Sequence, residues 1–162
     1  MSPASWNAPP GGAPGPTSAA PREKALPPVP MSPDEIAVLE ANSAFYRAFA
    51  ERDLAAMEEL WAQQAPVACI HPGWDALRGR ERVMRSWRGL LEGDAPRIRC
   101  TAASAHVLGP VAFVVCGERI SGGPPLVATN VFVREGSRWR LCHHQAGMVA
   151  QPSEEAPPGA KA

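Results

Sequence analysis

Lysine is all but missing from this chain. Its two copies, Lys24 and Lys161, lie near the ends, and none falls between residues 34 and 150. That absence excludes a Schiff-base lysine there, and with it a Walker-type phosphate loop, whose lysine must sit beside a Gly-rich turn. Cationic charge comes from arginine instead: between residues 34 and 150, thirteen arginines face thirteen acidic residues. The balance leaves no basic field for nucleic acid and no acidic excess for cations, so no nucleic-acid partner is expected. Cysteine is scarce and scattered. Cys69, Cys100, Cys116 and Cys142 stand singly in apolar, strand-like runs without a C-x-x-C pair, which reads as buried thiols in a reducing compartment. No apolar run reaches the ~18 residues of a membrane span. The N-terminus lacks a basic-then-apolar leader, its first basic residue being Arg22 amid prolines. A cytoplasmic protein with no membrane partner is the expectation.

What is abundant is proline, and it is crowded at one end. Ten of the 19 prolines fall in the first 33 residues, beside "PPGGAPGPTSAAP" and very few large apolar side chains. Such a segment cannot bury enough apolar surface to offset its ordering entropy, so residues 1–33 are expected to be a disordered arm. The tail at 151–162, "QPSEEAPPGAKA", reads the same way. Residues 34–150 remain for one domain with a sizeable core.

Within that domain, Ser32, Pro33, Asp34 and Glu35 form a helix start, followed by Leu39, Asn42, Phe45, Tyr46 and Phe49 at helical spacing. Asp53 can cap a short second helix with Leu54, Met57, Leu60 and Trp61 on its apolar face. "APVACIH" reads as a short strand ending at Pro72-Gly73, and "GRERVMRSWRGLLEGD" as a third helix carrying Val83, Trp87 and Leu90. Four strands follow, "RIRCTAASAHVL", "VAFVVCGERI", "PLVATNVFVRE" and "RWRLCHHQAG", separated by Gly-Pro, "SGGPP" and "EGS" turns of a meander. The order predicts an α+β fold, α-α-β-α-β-β-β-β, with three N-terminal helices packed on one face of a curved antiparallel sheet. Both faces of "VAFVVC" are apolar, so the outer face should also be covered, most economically by a second copy of the chain.

The stretches "FYRAFAERDLAAMEELWA", "VACIHPGWDALRGRERVMRSW" and "ATNVFVREGSRWRLCHH" together resemble the cone-shaped family that includes nuclear transport factor 2, ketosteroid isomerase and the polyketide cyclase SnoaL. The similarity runs from about Asp34 to Val149. It implies a ligand cavity between the concave sheet and the helices, and homodimerisation through the outer sheet face. In the isomerase branch the catalytic aspartate precedes a proline at the end of the first strand. That position resembles His71-Pro72, where the dipeptide is kept and an imidazole replaces the carboxylate. With an unperturbed pKa of ~6.5, a histidine can still give or take a proton at working pH. The branch's first-helix tyrosine aligns with Phe45, one residue from Tyr46, the chain's single tyrosine.

His71 is therefore the candidate catalytic residue, weighed against a plain strand-end histidine bonded to nearby backbone. Trp74 either walls a pocket or staples the loop, while Asp75 either orients His71 or is solvated. Strict alternation on the last strand puts Trp139, Leu141 and His143 on the core face and His144 on the other, making His143 a candidate ligand contact. Asn130, an amide inside an apolar strand, either ties strands together or offers a ligand a polar handle. Tyr46 and Trp87 are core residues or pocket lining, the arginines around Arg80 to Arg88 a solvated face pairing with Glu81 and Glu92, and Glu118 a lone acid in mid-strand. No His-x-His or His-Glu-x-x-His spacing exists. No metal and no cofactor are expected, a site shared by His71 and His143 being the one arrangement left open. Two functional readings result: a small-molecule pocket protein moving a proton through His71, and a non-catalytic homodimeric association module.

Overall fold

The computed structural model describes residues 30–94 and 96–149. Most of the expected N-terminal arm and the C-terminal tail lie outside the described residues. Helix α1 spans Pro33–Glu51 and opens with a reciprocal capping box, in which the Glu35 N–H donates to Ser32 Oγ and the Ser32 N–H to the Glu35 carboxylate. It ends at Arg52 in the left-handed region, φ 57°. The Arg52 guanidinium then donates to the carbonyls of Leu91 and Gly93, closing the end of a later helix. Asp53 caps α2, Leu54–Leu60, by accepting from the Ala56 N–H at 2.9 Å. The exit from α2 is closed by Arg80, which donates to the carbonyls of Glu58, Trp61 and Ala62. Arg80 is thus a helix clamp and not part of a solvated face. Arg85 pairs with Glu81 as expected, whereas Arg88 reaches Glu58 on α2.

Strand β1 is Ala68–Ile70, β2 is Leu77–Arg78, α3 is Arg80–Glu92, and the meander is β3 Ile98–Leu108, β4 Val111–Ile120, β5 Pro125–Glu135 and β6 Arg138–Met148. All six strands form one sheet in the order β2-β1-β6-β5-β4-β3. The sheet is mixed, which corrects the antiparallel expectation: β1 runs parallel to β6, with Ala68 opposite His143 and Ile70 opposite Gln145. A parallel pair needs a long crossover, and α3 with the whole meander supplies it. The two-residue β2, too short to leave a periodic signal, pairs antiparallel with β1.

The concave face and the three helices enclose a core that includes Phe45, Met57, Trp61, Val83, Trp87, Val114, Phe132 and Leu141. Alternation is unbroken on β4 and β5, whose even-numbered residues from 112 to 118 and 126 to 132 are buried. It breaks on β3 and β6. On β3 the register shifts between Thr101 and Ser104, with Ala102 at φ 50°. On β6 the residues opposite Phe132 and Val131 are Leu141 and His143, so Cys142 is inserted as a bulge.

Candidate functional site

The Cys142 bulge decides which histidine enters the core. Because the side-chain period of a strand is two, one inserted residue moves every later side chain to the opposite face. Trp139 and Leu141 are buried as expected, but beyond Cys142 it is His144 and Ala146 that are buried. This corrects the assignment of His143. That ring lines a surface cleft of about 480 Å³ with Val67, Ala68, Arg78 and Cys142.

His144 anchors a chain of buried polar groups. Its Nδ1 lies 2.6 Å from Asn130 Oδ1. Asn130 Nδ2 donates to Asn42 Oδ1 at 2.7 Å and, more weakly, to the Tyr46 hydroxyl at 3.4 Å. The Tyr46 hydroxyl donates to Glu118 Oε1 at 2.7 Å and lies 3.2 Å from the Cys116 sulfur. An amide oxygen only accepts, so His144 Nδ1 carries the proton and its Nε2 lone pair is left uncommitted. Asn130 thus bonds β5 to β6 and to α1 through its own side chain. Burial, reinforced by the nearby His71 and His143 rings, holds the His144 pKa down at about 3. Burial raises Glu118 above its ordinary value, outweighing the hydrogen bond from Tyr46, which acts the other way. Burial first, and then the Glu118 charge, raises Tyr46 further above its already high value. The chain thus ends in an imidazole whose pKa burial lowers at one side and a carboxyl whose pKa burial raises at the other.

His71 is 4% exposed and sits at the exit of β1, where Pro72-Gly73 turns the chain. Its Nε2 lies 2.9 Å from Ser86 Oγ. Ser86 has one hydroxyl proton, and it goes to the Val83 carbonyl at 2.8 Å, so Ser86 accepts and His71 carries its proton on Nε2. The Cys69 sulfur lies 3.9 Å from Nδ1 and 3.8 Å from Nε2, and the Nδ1 lone pair has no closer polar neighbour among the described residues. Burial pushes the His71 pKa down to about 4. It also raises the Cys69 thiol to about 12, which removes Cys69 as a nucleophile.

Ser86, not Asp75, orients the imidazole: Asp75 is exposed and accepts from the Ala76 N–H in its own loop. Ser86 was absent from the expected site. Its signal is a hydroxyl three residues beyond Val83 on an otherwise apolar helix stripe. The Trp87 ring packs edge-on against His71 at 4.7 Å and lies 5.7 Å from His144, so one indole touches both imidazoles. Its buried Nε1–H has no partner among the described residues, a state shared with Trp61 and Trp139. Phe45 packs against Trp87, Tyr46 and His144. Trp74 is 51% exposed, with its ring edge-on to His71 at 4.9 Å. The space around His71 is thus filled by Cys69, Ser86, Trp74 and Trp87.

Comparison with known proteins places this geometry in a family. The model of the SnoaL-like domain matches residues 38–151. Among solved structures, a nuclear transport factor 2-like protein of Streptomyces avermitilis assigned as a candidate dehydratase is 34% identical. The match covers 73% of this chain and 97% of that one, with a TM-score of 0.66. A Thiobacillus denitrificans protein assigned as a candidate calcium/calmodulin-dependent protein kinase type II association domain is 31% identical over 76% of this chain and 99% of that one, with a TM-score of 0.62. The Arabidopsis thaliana F-box protein SKIP8 is 28% identical over 116 residues, or 70% of this chain. The chain spans 50% of the length of that curated relative. With helices on a mixed sheet and its polar groups gathered on the concave face, the chain belongs to the SnoaL-like domain family of the nuclear transport factor 2-like superfamily.

Proposed function

We propose that this protein is a small-molecule enzyme that moves a proton between carbon and oxygen, in the manner of a dehydratase or isomerase. Its base is His71 and its acid side is the Tyr46–Glu118 pair. The observation that carries the reading is the buried polar chain itself. Asn42, Tyr46, Glu118, Asn130 and His144 come from four elements into the core, and among the described residues the carboxyl of Glu118 forms no ion pair. A core serving only to associate gains nothing from this set, because buried polar groups cost free energy that apolar ones do not. Groups whose protonation is displaced in opposite senses are the usual equipment of acid–base sites. The 34% identical candidate dehydratase supports the same chemistry.

In this scheme the His71 Nδ1 lone pair removes a proton next to a carbonyl. Glu118, whose hold on its proton burial strengthens, acts with the Tyr46 hydroxyl bonded to it to stabilise the developing oxyanion or to donate to the leaving hydroxyl. The Trp87 indole N–H offers a further donor. Entry requires Trp74 and the Gly73 turn, at φ 80°, to swing off the His71 ring. The test is deuterium exchange at the α-carbon of cyclic ketones and β-hydroxyketones in heavy water, followed by NMR. The native protein should accelerate exchange for one class, and His71→Gln should lose it by ~100-fold or more with its circular dichroism unchanged. Retention of full exchange by that variant would remove His71 from the mechanism.

A second reading has its own support. The outer sheet face presents Val127, 44% exposed, with half-buried Phe113, Val115 and Val131 beside it. The 31% identical candidate association domain suggests what such a face is for. A homodimer through this face is compatible with the proton-transfer site, which lies on the opposite side of the sheet.

A further inference from the structure

At the far end of the β3–β4 hairpin, away from the histidines, three arginines meet. Arg99 and Arg119 are register partners on adjacent antiparallel strands, and Arg97 lies two residues before Arg99. Side chains directly opposite on such strands start about 5 Å apart at Cβ, where like charges destabilise the pair. Among the described residues none of the three forms an ion pair; the carboxylates in ion pairs are engaged by Arg85, Arg88, Arg134, Arg138 and Arg140. Arg52, the nearby cation of α1, is already committed to the end of α3.

Arg97, Arg99 and Arg119 line a cleft of about 560 Å³ at this end of the sheet, with Ala50, Ile98, Ile120 and Ser121 as its other lining residues. Ile98 and Ile120 are themselves register partners, packed against the core. The rim is fixed by the backbone, since the Ser121 N–H donates to the Arg97 carbonyl at 3.1 Å. Charge repulsion of this kind is relieved by a ligand that carries the opposite charge. Guanidinium forks match the oxygens of phosphate and carboxylate two at a time. We infer that this cleft is an anion-binding site for a small oxyanion, a phosphate or a carboxylate, held by Arg97, Arg99 and Arg119 on the exposed face of the hairpin. The inference does not rest on the proton-transfer reading and survives its failure.

The test is thermal unfolding of the full chain at constant ionic strength, with sodium chloride replaced by inorganic phosphate, phenyl phosphate or phenylacetate. At about ten times its Kd, a specific ligand should raise the midpoint by ~4 °C over the chloride control. A response to inorganic phosphate assigns the site to the bare oxyanion, and a larger one to phenyl phosphate assigns it to an oxyanion with an apolar substituent. Phenylacetate responding in place of either phosphate assigns it to carboxylates. In the Arg99→Gln, Arg119→Gln double variant the rise should vanish. In low-salt buffer without these anions, Arg99→Gln alone should melt no lower than the native protein, because it removes a repulsion. Midpoints equal to the chloride control in every arm, or an undiminished rise in the double variant, would overturn the site.

Discussion

The two inward histidines behave as a pair of bases the fold refuses to charge. Folding holds His71 at about 4 and His144 at about 3, against an ordinary value of 6.5. Between pH 6.5 and those values the unfolded chain binds protons that the folded chain does not. The stability contributed by the neutral rings is complete above pH 6.5 and is lost as pH falls toward 4 and below. The slope is at most ~1.4 kcal/mol per pH unit for each ring. Glu118 has the opposite sign: raised above 4.5, it stabilises most below that pH and loses its contribution as pH rises through its folded value. Urea midpoints measured from pH 7 to 4 should fall, and His144→Gln should reduce that fall by roughly half. Asn130→Asp puts a carboxylate where His144 Nδ1 now finds an amide oxygen at 2.6 Å. It should raise the His144 pKa, read from the imidazole carbon shifts, whereas Asn130→Ala should cost ~2–4 kcal/mol by leaving two buried partners unpaired.

At the level of elements, two bulges shape both the sheet and the site. Ala102 holds a left-handed conformation on β3 that costs a residue with a Cβ about 1 kcal/mol. Ala102→Gly should therefore raise unfolding stability by up to ~1 kcal/mol in urea titrations. Deleting Cys142 would restore strict alternation on β6, turning His143 inward and His144 outward. The variant should lose the depressed imidazole titration and melt well below the native protein in calorimetry. These bulges mark the limit of what the amino-acid pattern discloses. Asn130 was legible as a group inside an apolar strand, and the unbroken alternation of β4 and β5 turns both it and Glu118, whose direction the sequence left open, into the core. His144 was not, because nothing in "RWRLCHHQAG" distinguishes a bulged cysteine from a paired one. Helix starts at Ser32 and Asp53 were legible from local capping chemistry. The Ser86 contact to His71 depends on how α3 lies across β1, a tertiary fact with only a faint local trace.

For the molecule as a whole, the outer sheet face makes the simplest prediction. On the proposed homodimer reading, Val127→Glu with Val131→Glu should halve the mass seen by light scattering while leaving the helical circular dichroism signal unchanged. Phe113, stacked with His106 at 4.7 Å, would then be left open to solvent. A further consequence follows from the pairing of β1 with β6. Ala68 finds His143 only after nearly the whole domain has been made, and at 5–20 residues per second that wait is ~4–15 s on a ribosome. During it, His71, Phe45 and Trp87 have no closing strand to cover them, so the nascent chain carries its apolar helix faces bare. Synthesis stalled before the last strand would release a fragment with those apolar faces exposed and prone to aggregate.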